Sequence, residues 1–357
     1  MNLLAVGVNY HRSPLELREQ LAIPGRNLPA ALSTLKTQYG LSEVVILSTC
    51  NRVEFYVTTE DLFTATAAVA DFLTAHSRLA PTAVHAHLYR LVDERAVTHL
   101  FRVAAGLDSM VLGESEITAQ LKHAYALAQA QGAAGPLLNR LFQKALHSAK
   151  IIRSQTRIAE GQASIGSIVA TLTQCIFGAS LPSCEVLLWG AGKAAEATVQ
   201  HVRKLGVQRL WIVNRTQTKA EELAALCQGG WLSWEQALHH LRHVDIAIVC
   251  TQAPHYVIDP PDVEVARAAR GARPLVLIDL AVPRNVDPQV ARQPGVRLYN
   301  IDDLQTLAQT ARARRHEELS HCELLIQEQV GYFLRWWKPI AYEEAFACPS
   351  GTASLLA

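Results

Sequence analysis

The sequence predicts a multidomain α/β protein, with an N-terminal α+β domain, a Rossmann-type dinucleotide-binding domain on a parallel sheet, and a C-terminal region dominated by one long helix. Three observations predict it. The chain has 357 residues, 50% of them hydrophobic, which is enough to bury more than one core. The fingerprint Gly190-x-Gly192-x-x-Ala195 stands between a strand-like run and a helix-forming one. Between Asp302 and Trp337, Leu304, Leu307, Ala311, Leu319, Leu324, Leu325, Val330, Phe333 and Leu334 recur at helical spacing with charges between them.

In the first domain, residues 3–8 read as a strand, 15–21 as a helix, and 44–47 as a strand entering the polar turn Ser48-Thr49-Cys50-Asn51-Arg52. Residues 53–58, β-branched and aromatic, suit the next strand, so Cys50 falls at a strand-to-strand turn. Helical spacing dominates 94–156, broken at Gly106, at Gly113 and at Gly132 to Pro136. A second unit begins near Gly161. Strand 185–189, helix 193–204, strand 209–213, a helix from Lys219 and strands 245–250 and 274–280 form a βαβ succession, which implies a parallel sheet covered on both faces. The expected domains are 1–157, 158–300 and 301–357. Nothing after the long helix can cover its apolar stripe, so burial against a second chain is expected. Residues 347–357 read as poorly ordered.

Composition removes several classes of function. The formal net charge is +1, so no whole-protein positive field exists and any RNA contact must be local. Seven cysteines (50, 175, 184, 227, 250, 322 and 348) occur without a CxxC pair, against a disulfide framework or a thiolate zinc site. Arg12, Glu16, Arg18, Glu19 and Gln20 interrupt the N-terminus, where an export signal would be apolar. No uncharged apolar run is read as long enough to span a membrane. A cytoplasmic protein without membrane contact is expected.

The fingerprint assigns a nucleotide loop to Gly190, Ala191, Gly192, Lys193, Ala194 and Ala195. Its first glycine permits a tight turn, its second lets a pyrophosphate approach the backbone, and small Ala195 lets helix and strand pack. The helix N-terminus offers N–H donors to phosphate. Where NAD-specific folds carry a carboxylate for the ribose, this chain has Asn214-Arg215-Thr216, and a guanidinium there favours the 2′-phosphate of NADP.

Cys50 reads two ways, as an ordinary buried thiol or as a nucleophile. Asn51, Arg52 and Glu54 crowd beside it, and a guanidinium close to sulfur favours the thiolate. His239-His240-x-x-His243 has ligand spacing, but no further ligands accompany it, so a solvated helix face and no metal are expected. Arg140, Lys144, His147, Lys150, Arg153 and Arg157 recur at helical spacing, either as a solvated stripe or as a phosphate-contacting one.

The chain resembles the glutamyl-tRNA reductases. The resemblance rests on Gly7-Val8-Asn9-Tyr10-His11-Arg12-Ser13-Pro14, Ser48-Thr49-Cys50-Asn51-Arg52-Val53-Glu54, the run from His99 to Glu114, Leu141-Phe142-Gln143-Lys144-Ala145-Leu146, the Gly190 fingerprint and Asp279-Leu280-Ala281-Val282-Pro283-Arg284. It spans roughly residues 3–338 in unchanged order. It implies that the first domain is catalytic, with Cys50 as nucleophile and His99 as the activity-critical histidine. Thr49, Asn51, Arg52, Ser109, Glu114, Ser115, Glu116 and Gln120 would hold the glutamyl moiety: Arg52 as a fork for a carboxylate, Glu114 or Glu116 for the ammonium.

The implied reaction is reduction of glutamyl-tRNA(Glu) with NADPH to glutamate-1-semialdehyde, through a Cys50 thioester and without a metal, as the first committed step of tetrapyrrole synthesis. The implied partners are tRNA(Glu), a second copy joined through the C-terminal helix, and transiently the glutamate-1-semialdehyde aminotransferase. Members usually carry a further helical segment after the long helix, which this chain replaces with a short tail. Two rivals share parts of the pattern: an NADP-dependent dehydrogenase of a free small acid, which gives Cys50 and Arg52 no task, and a non-catalytic tRNA- or partner-binding paralogue.

Overall fold

The computed structural model describes residues 1–158, 164–271, 273–304 and 316–338. Two sheets organise it. The first has four strands in the order β2-β3-β1-β4: β1 (Asn2–Asn9), β2 (Glu43–Ser48), β3 (Arg52–Thr59) and β4 (Tyr89–Val92). β1 runs antiparallel to both β3 and β4, and β2 is antiparallel to β3. The strands are buried nearly throughout, because helices cover the sheet: α2 (Leu28–Thr37), α3 (Leu62–His76), α4 (Pro81–His87), α5 (Glu94–Ala104), α6 (Glu116–Ala130) and α7 (Pro136–Gln155). Short α1 (Leu15–Leu21) lies between β1 and α2.

Buried Glu43 starts α7. Its carboxylate accepts from the backbone N–H of Leu138 at 2.7 Å and of Leu137 at 3.3 Å, two donors that an α-helix leaves unpaired at its first turn. This packing holds the helices behind the β2–β3 turn that carries Cys50.

The second sheet has six strands, all parallel, in the order β10-β9-β8-β5-β6-β7: β5 (Glu185–Trp189), β6 (Arg209–Val213), β7 (Gly230–Trp231), β8 (Ile246–Val249), β9 (Leu275–Asp279) and β10 (Val296–Asn300). Helices α8 (Ile165–Phe177), α9 (Lys193–Lys204), α10 (Gln217–Leu226), α11 (Trp234–His240) and α12 (Pro260–Arg270) accompany it. Apolar clusters form on both of its faces, as the near-continuous hydrophobic strands require.

Two expectations are corrected here. Residues 161–184 carry no charge, and the span Ile165–Ser183 is long and apolar enough to cross a membrane by length and composition. Its apolar residues have another use: Ile168, Val169 and Leu172 are buried in the cluster beneath α9, and Gly166 lies against the backbone of Ala197 and Thr198. The long helix is described as α13 (His316–Trp337); the expected stretch at 305–315 and the tail at 347–357 lie outside the described residues. Among the described residues, most of its apolar face is covered by its own chain, with Leu324 left exposed. Cys322, Ile326, Val330, Phe333 and Leu334 join the core of the antiparallel unit, where α13 packs on α5 and α7.

Candidate active site

The β2–β3 turn is built by its own side chains. Thr49 Oγ1 accepts from the N–H groups of Asn51 and Arg52 at 3.2 Å each, and Thr49 N–H donates to the Arg52 carbonyl at 2.8 Å. Tyr10 N–H takes the Asn51 carbonyl at 2.9 Å. Thr49, read as a substrate hydroxyl, thus forms the turn that presents Cys50.

The cation beside Cys50 is Arg18, not Arg52. Arg18 on α1 is 1% exposed, and its Nη1 donates to the Cys50 carbonyl at 2.6 Å. Arg52, also buried, turns into the antiparallel unit, where its guanidinium pairs with Glu54 at 2.8 Å, with the Asp108 carboxylate at 2.9 Å, and with the Asp108 carbonyl. Strand alternation explains this: Arg52 opens β3 and shares a face with Glu54 two residues on. One donor, Arg52 Nε, is buried with no hydrogen-bond partner.

Glu54 is the centre of a buried polar network. It accepts from Arg52, from the Tyr56 hydroxyl at 2.6 Å, from the Tyr89 hydroxyl, and from His99 Nε2 at 3.0 Å. Burial pushes such a carboxyl upward, but Arg52 and His99, with bonds from His99 and Tyr56, outweigh it and hold Glu54 down at about 2. With Glu54 ionised, His99 Nε2 is the donor. Asp108 is likewise held well below the carboxylate range: burial opposes, while the His11 hydrogen bond and Arg52 prevail. His99's hydrogen bonds therefore run to Glu54 and Tyr89.

The Cys50 thiol is held above its ordinary range. Burial first, then the charges of Glu114 and Glu116, push it up to about 12, against the opposing pull of Arg18. Glu114 itself rises to about 7, chiefly by burial with Glu116 adding, while Ser109 and Arg52 oppose. Glu116 opens α6 and accepts from Gln120 Nε2 at 3.3 Å; Ser115 is the residue before that helix. Cys50, Ser109, Glu114, Glu116 and Gln120 are thus gathered around the turn, with Arg52 and His99 one layer deeper.

Cys50 also packs against the core of the parallel-sheet unit. That cluster takes Leu15, Met110 and Val111 from the first unit, and Leu280, Ile301 and Leu304 from the second, with Ala191, Cys250 and Val282 alongside. Ala191, Cys250 and Leu280 follow the carboxyl ends of β5, β8 and β9, the edge where open parallel sheets bind ligands.

The nucleotide loop at that edge fits a dinucleotide. Gly190 has φ of 117°, and a Cβ there would meet the Cys250 carbonyl oxygen at 2.6 Å, so only glycine is accommodated. A Cβ at Gly192 meets nothing within 4 Å, and no side chain caps α9 at Gly192, which leaves its first N–H groups to a phosphate. Buried Ala195 packs α9 onto the sheet. Arg215, after β6, is exposed, and Asn214 Nδ2 donates to the Thr216 carbonyl at 3.0 Å, shaping the turn that carries it.

Some of the remaining sequence signals take part in packing. His240 hydrogen-bonds Glu185 at 2.7 Å. The basic stripe divides: Arg153 turns inward to the Glu114 carbonyl at 2.7 Å and to Thr118, whereas Arg140 and Lys144 lie over the rings of Trp336 and Tyr332 at 5.5 and 5.4 Å. Missed in the sequence were Arg18, Asp108, Tyr56, Tyr89, His11 and the tie between Arg284 and Glu19. The available signal was charge placed inside otherwise apolar runs, as in Val53-Glu54-Phe55 and Leu107-Asp108-Ser109.

Fold and site together define an oxidoreductase that joins an NAD(P)-binding, Rossmann-like unit to an α+β unit carrying a cysteine turn. Family profiles described as "Glutamyl-tRNAGlu reductase, N-terminal domain" and "Shikimate / quinate 5-dehydrogenase" match residues 6–156 and 171–307. The glutamyl-tRNA reductase of Solibacter usitatus (strain Ellin6076) is 42% identical over 330 residues, 92% of this chain and 78% of that protein. The chain belongs to the glutamyl-tRNA reductase family, oxidoreductases of tetrapyrrole biosynthesis. The relative from Pelobacter propionicus is 38% identical over 336 residues, covering 94% of this chain and 77% of its own. A solved glutamyl-tRNA reductase from Methanopyrus kandleri aligns over 95% of this chain and 81% of its own, at 32% identity and a TM-score of 0.51.

Proposed function

We propose that this protein reduces glutamyl-tRNA(Glu) to glutamate-1-semialdehyde with NADPH, through a thioester on Cys50, releasing the tRNA. The observation that carries this reading is the position of Cys50, with Glu114 and Glu116 on one side and the carboxyl edge of the nucleotide-binding sheet on the other. An α-ammonium bound by Glu114 and Glu116 offsets part of the negative charge that, after burial, raises the Cys50 thiol. Substrate binding then favours the Cys50 thiolate where the ester carbonyl arrives. Arg52 offers its unpartnered Nε to the side-chain carboxylate, and Ser109 and Gln120 add polar contacts.

In the first step the sulfur bonds to the glutamyl carbonyl carbon, the C–O bond to the terminal ribose breaks, and that oxygen leaves with a proton. His99, oriented by Glu54, is a proton donor of suitable type for this task. Gly190 through Ala195 hold the pyrophosphate, and Asn214, Arg215 and Thr216 the 2′-phosphate, which selects NADPH over NADH. NADPH held there would supply a hydride to the acyl carbon, and Cys50 would take back the C–S electron pair as the aldehyde forms.

The proposal includes domains at 1–157, 158–300 and 301–357, a cytoplasmic location, a homodimer and delivery of the aldehyde to the glutamate-1-semialdehyde aminotransferase. With most of the apolar face of α13 buried, a dimer contact through this helix has Leu324, Tyr332 and Trp336 as its exposed apolar residues. Incubation of the protein with glutamyl-tRNA and either NADPH or NADH is expected to yield aldehyde much faster with NADPH. Equal rates would remove the role given to Arg215, and reduction of free glutamate at a comparable rate would favour the dehydrogenase of a free acid.

A further inference from the structure

We propose that Arg18 is a positioning residue that ties the Cys50 turn to the nucleotide-binding unit, so that capture of the acyl group and its reduction are coupled through one guanidinium. The proposal rests on the thioester reading of Cys50. Three of Arg18's nitrogens are committed: Nε donates to the Ser13 carbonyl at 3.2 Å, Nη1 to the Cys50 carbonyl at 2.6 Å, and Nη2 to the Asp302 carboxylate. Ser13 precedes α1, Cys50 is the turn, and Asp302 follows β10 at the edge of the parallel sheet. Asp302 is itself anchored, its N–H donating to Asn300 Oδ1 at 2.8 Å.

The rest of α1 is gripped by the same unit. Arg284, in the loop after β9, meets Glu19 through Nε at 3.0 Å and Nη2 at 2.7 Å, and Glu16 through Nη1 at 3.1 Å. Leu15 is buried in the nucleotide unit's core cluster. A seven-residue helix of the first unit is therefore docked on the second, and Arg18 is its link to the cysteine backbone. Only a planar fork reaches all three acceptors in fixed directions; an ammonium keeps the charge and loses the geometry.

The test separates acyl capture from reduction. Asp302, whose side chain is 37% exposed, contacts neither the sulfur nor a proposed substrate group, so Asp302→Ala spares the core. Glutamyl-adduct formation without NADPH is expected near the wild-type rate in Asp302→Ala, while discharge of the adduct after NADPH addition slows by up to about a hundredfold, the scale of an ångström-level misplacement. Arg18→Met is expected to slow both discharge and iodoacetamide alkylation of Cys50, because the turn loses its backbone tie and burial, Glu114 and Glu116 then act on the sulfur without the opposing guanidinium. Arg18→Lys is expected to restore alkylation but not discharge, a split that general loss of structure does not produce.

Wild-type discharge in Asp302→Ala, or restoration of both properties by lysine, would overturn the proposal. Should Arg18→Met fail to fold, Asp302→Ala and Arg18→Lys decide it. If Cys50→Ala still formed the adduct, the thioester reading would fall, and Cys50 alkylation in the Arg18 variants would decide Arg18's hold on the turn by itself.

Discussion

Glu54 shows what a single buried charge does in this molecule. It is 0% exposed and held ionised by Arg52, Tyr56, Tyr89 and His99. Its folded-state value of about 2 lies below the ordinary 4.5. A carboxyl depressed in the folded state adds stability that is fully present above its unfolded value and is lost as pH falls through the folded one. The contribution is about 3 kcal/mol, at ~1.4 kcal/mol for each tenfold difference in proton affinity between the folded and unfolded chain. Glu54→Gln is expected to cost about 3 kcal/mol at neutral pH by leaving Arg52 with Asp108 as its remaining carboxylate, and to flatten the stability loss between pH 4.5 and 2. Urea unfolding at a series of pH values measures both; an unchanged slope contradicts the hub.

At the same scale, the sequence placed Cys50 at a strand-to-strand turn, and the cation that holds the backbone of that turn is not its neighbour Arg52. Arg52 stands two residues from Cys50 in the chain and points into the other layer, whereas Arg18 is 32 residues away and holds the Cys50 carbonyl. Adjacency in sequence carries no direction in space until strand alternation and tertiary contacts are known.

At the scale of elements, most of the fold was legible. Residues 15–21 were read as a helix and form α1, and the strands on either side of Cys50 form β2 and β3 within a residue or so. The βαβ succession gave the parallel sheet because buried parallel strands are continuous apolar runs. Residues 62–76 and 89–92 were not assigned, although they form α3 and β4. The first is apolar even on its exposed side, where Phe63 lies, so helical periodicity is weak, and the second is a short edge strand whose register depends on β1.

Helix α8 was misjudged for a related reason. Its uncharged composition reflects burial against α9 rather than any special environment. Gly166→Ala tests that packing: an added Cβ would come within 2.6 Å of Thr198 N and 2.7 Å of the Ala197 backbone. The substitution is expected to destabilise the protein by about 1–3 kcal/mol, the usual cost of overpacking, as a lower denaturant midpoint at unchanged slope. A neutral result would mean that α8 rides loosely on α9.

Across the whole molecule, two cores meet at one seam. Leu15, Met110 and Val111 enter the nucleotide unit's cluster, Arg284 and Asp302 return ion pairs to α1, and Cys50 lies at that junction. Composition and periodicity gave each unit but not the seam, because its partners are separated by more than 260 residues, as in Glu19 and Arg284. The same limit explains the expected open stripe on α13: local pattern identified apolar residues, and only the fold shows that Val330, Phe333 and Leu334 are buried where α13 meets α5 and α7.

The most direct measurement is mass-spectrometric mapping of the protein after incubation with glutamyl-tRNA in the absence of NADPH. One glutamyl group on the peptide containing Cys50, released as aldehyde when NADPH is added and absent in Cys50→Ser, is the predicted result. A glutamyl group on any other residue, or undiminished aldehyde formation by Cys50→Ser, would contradict it.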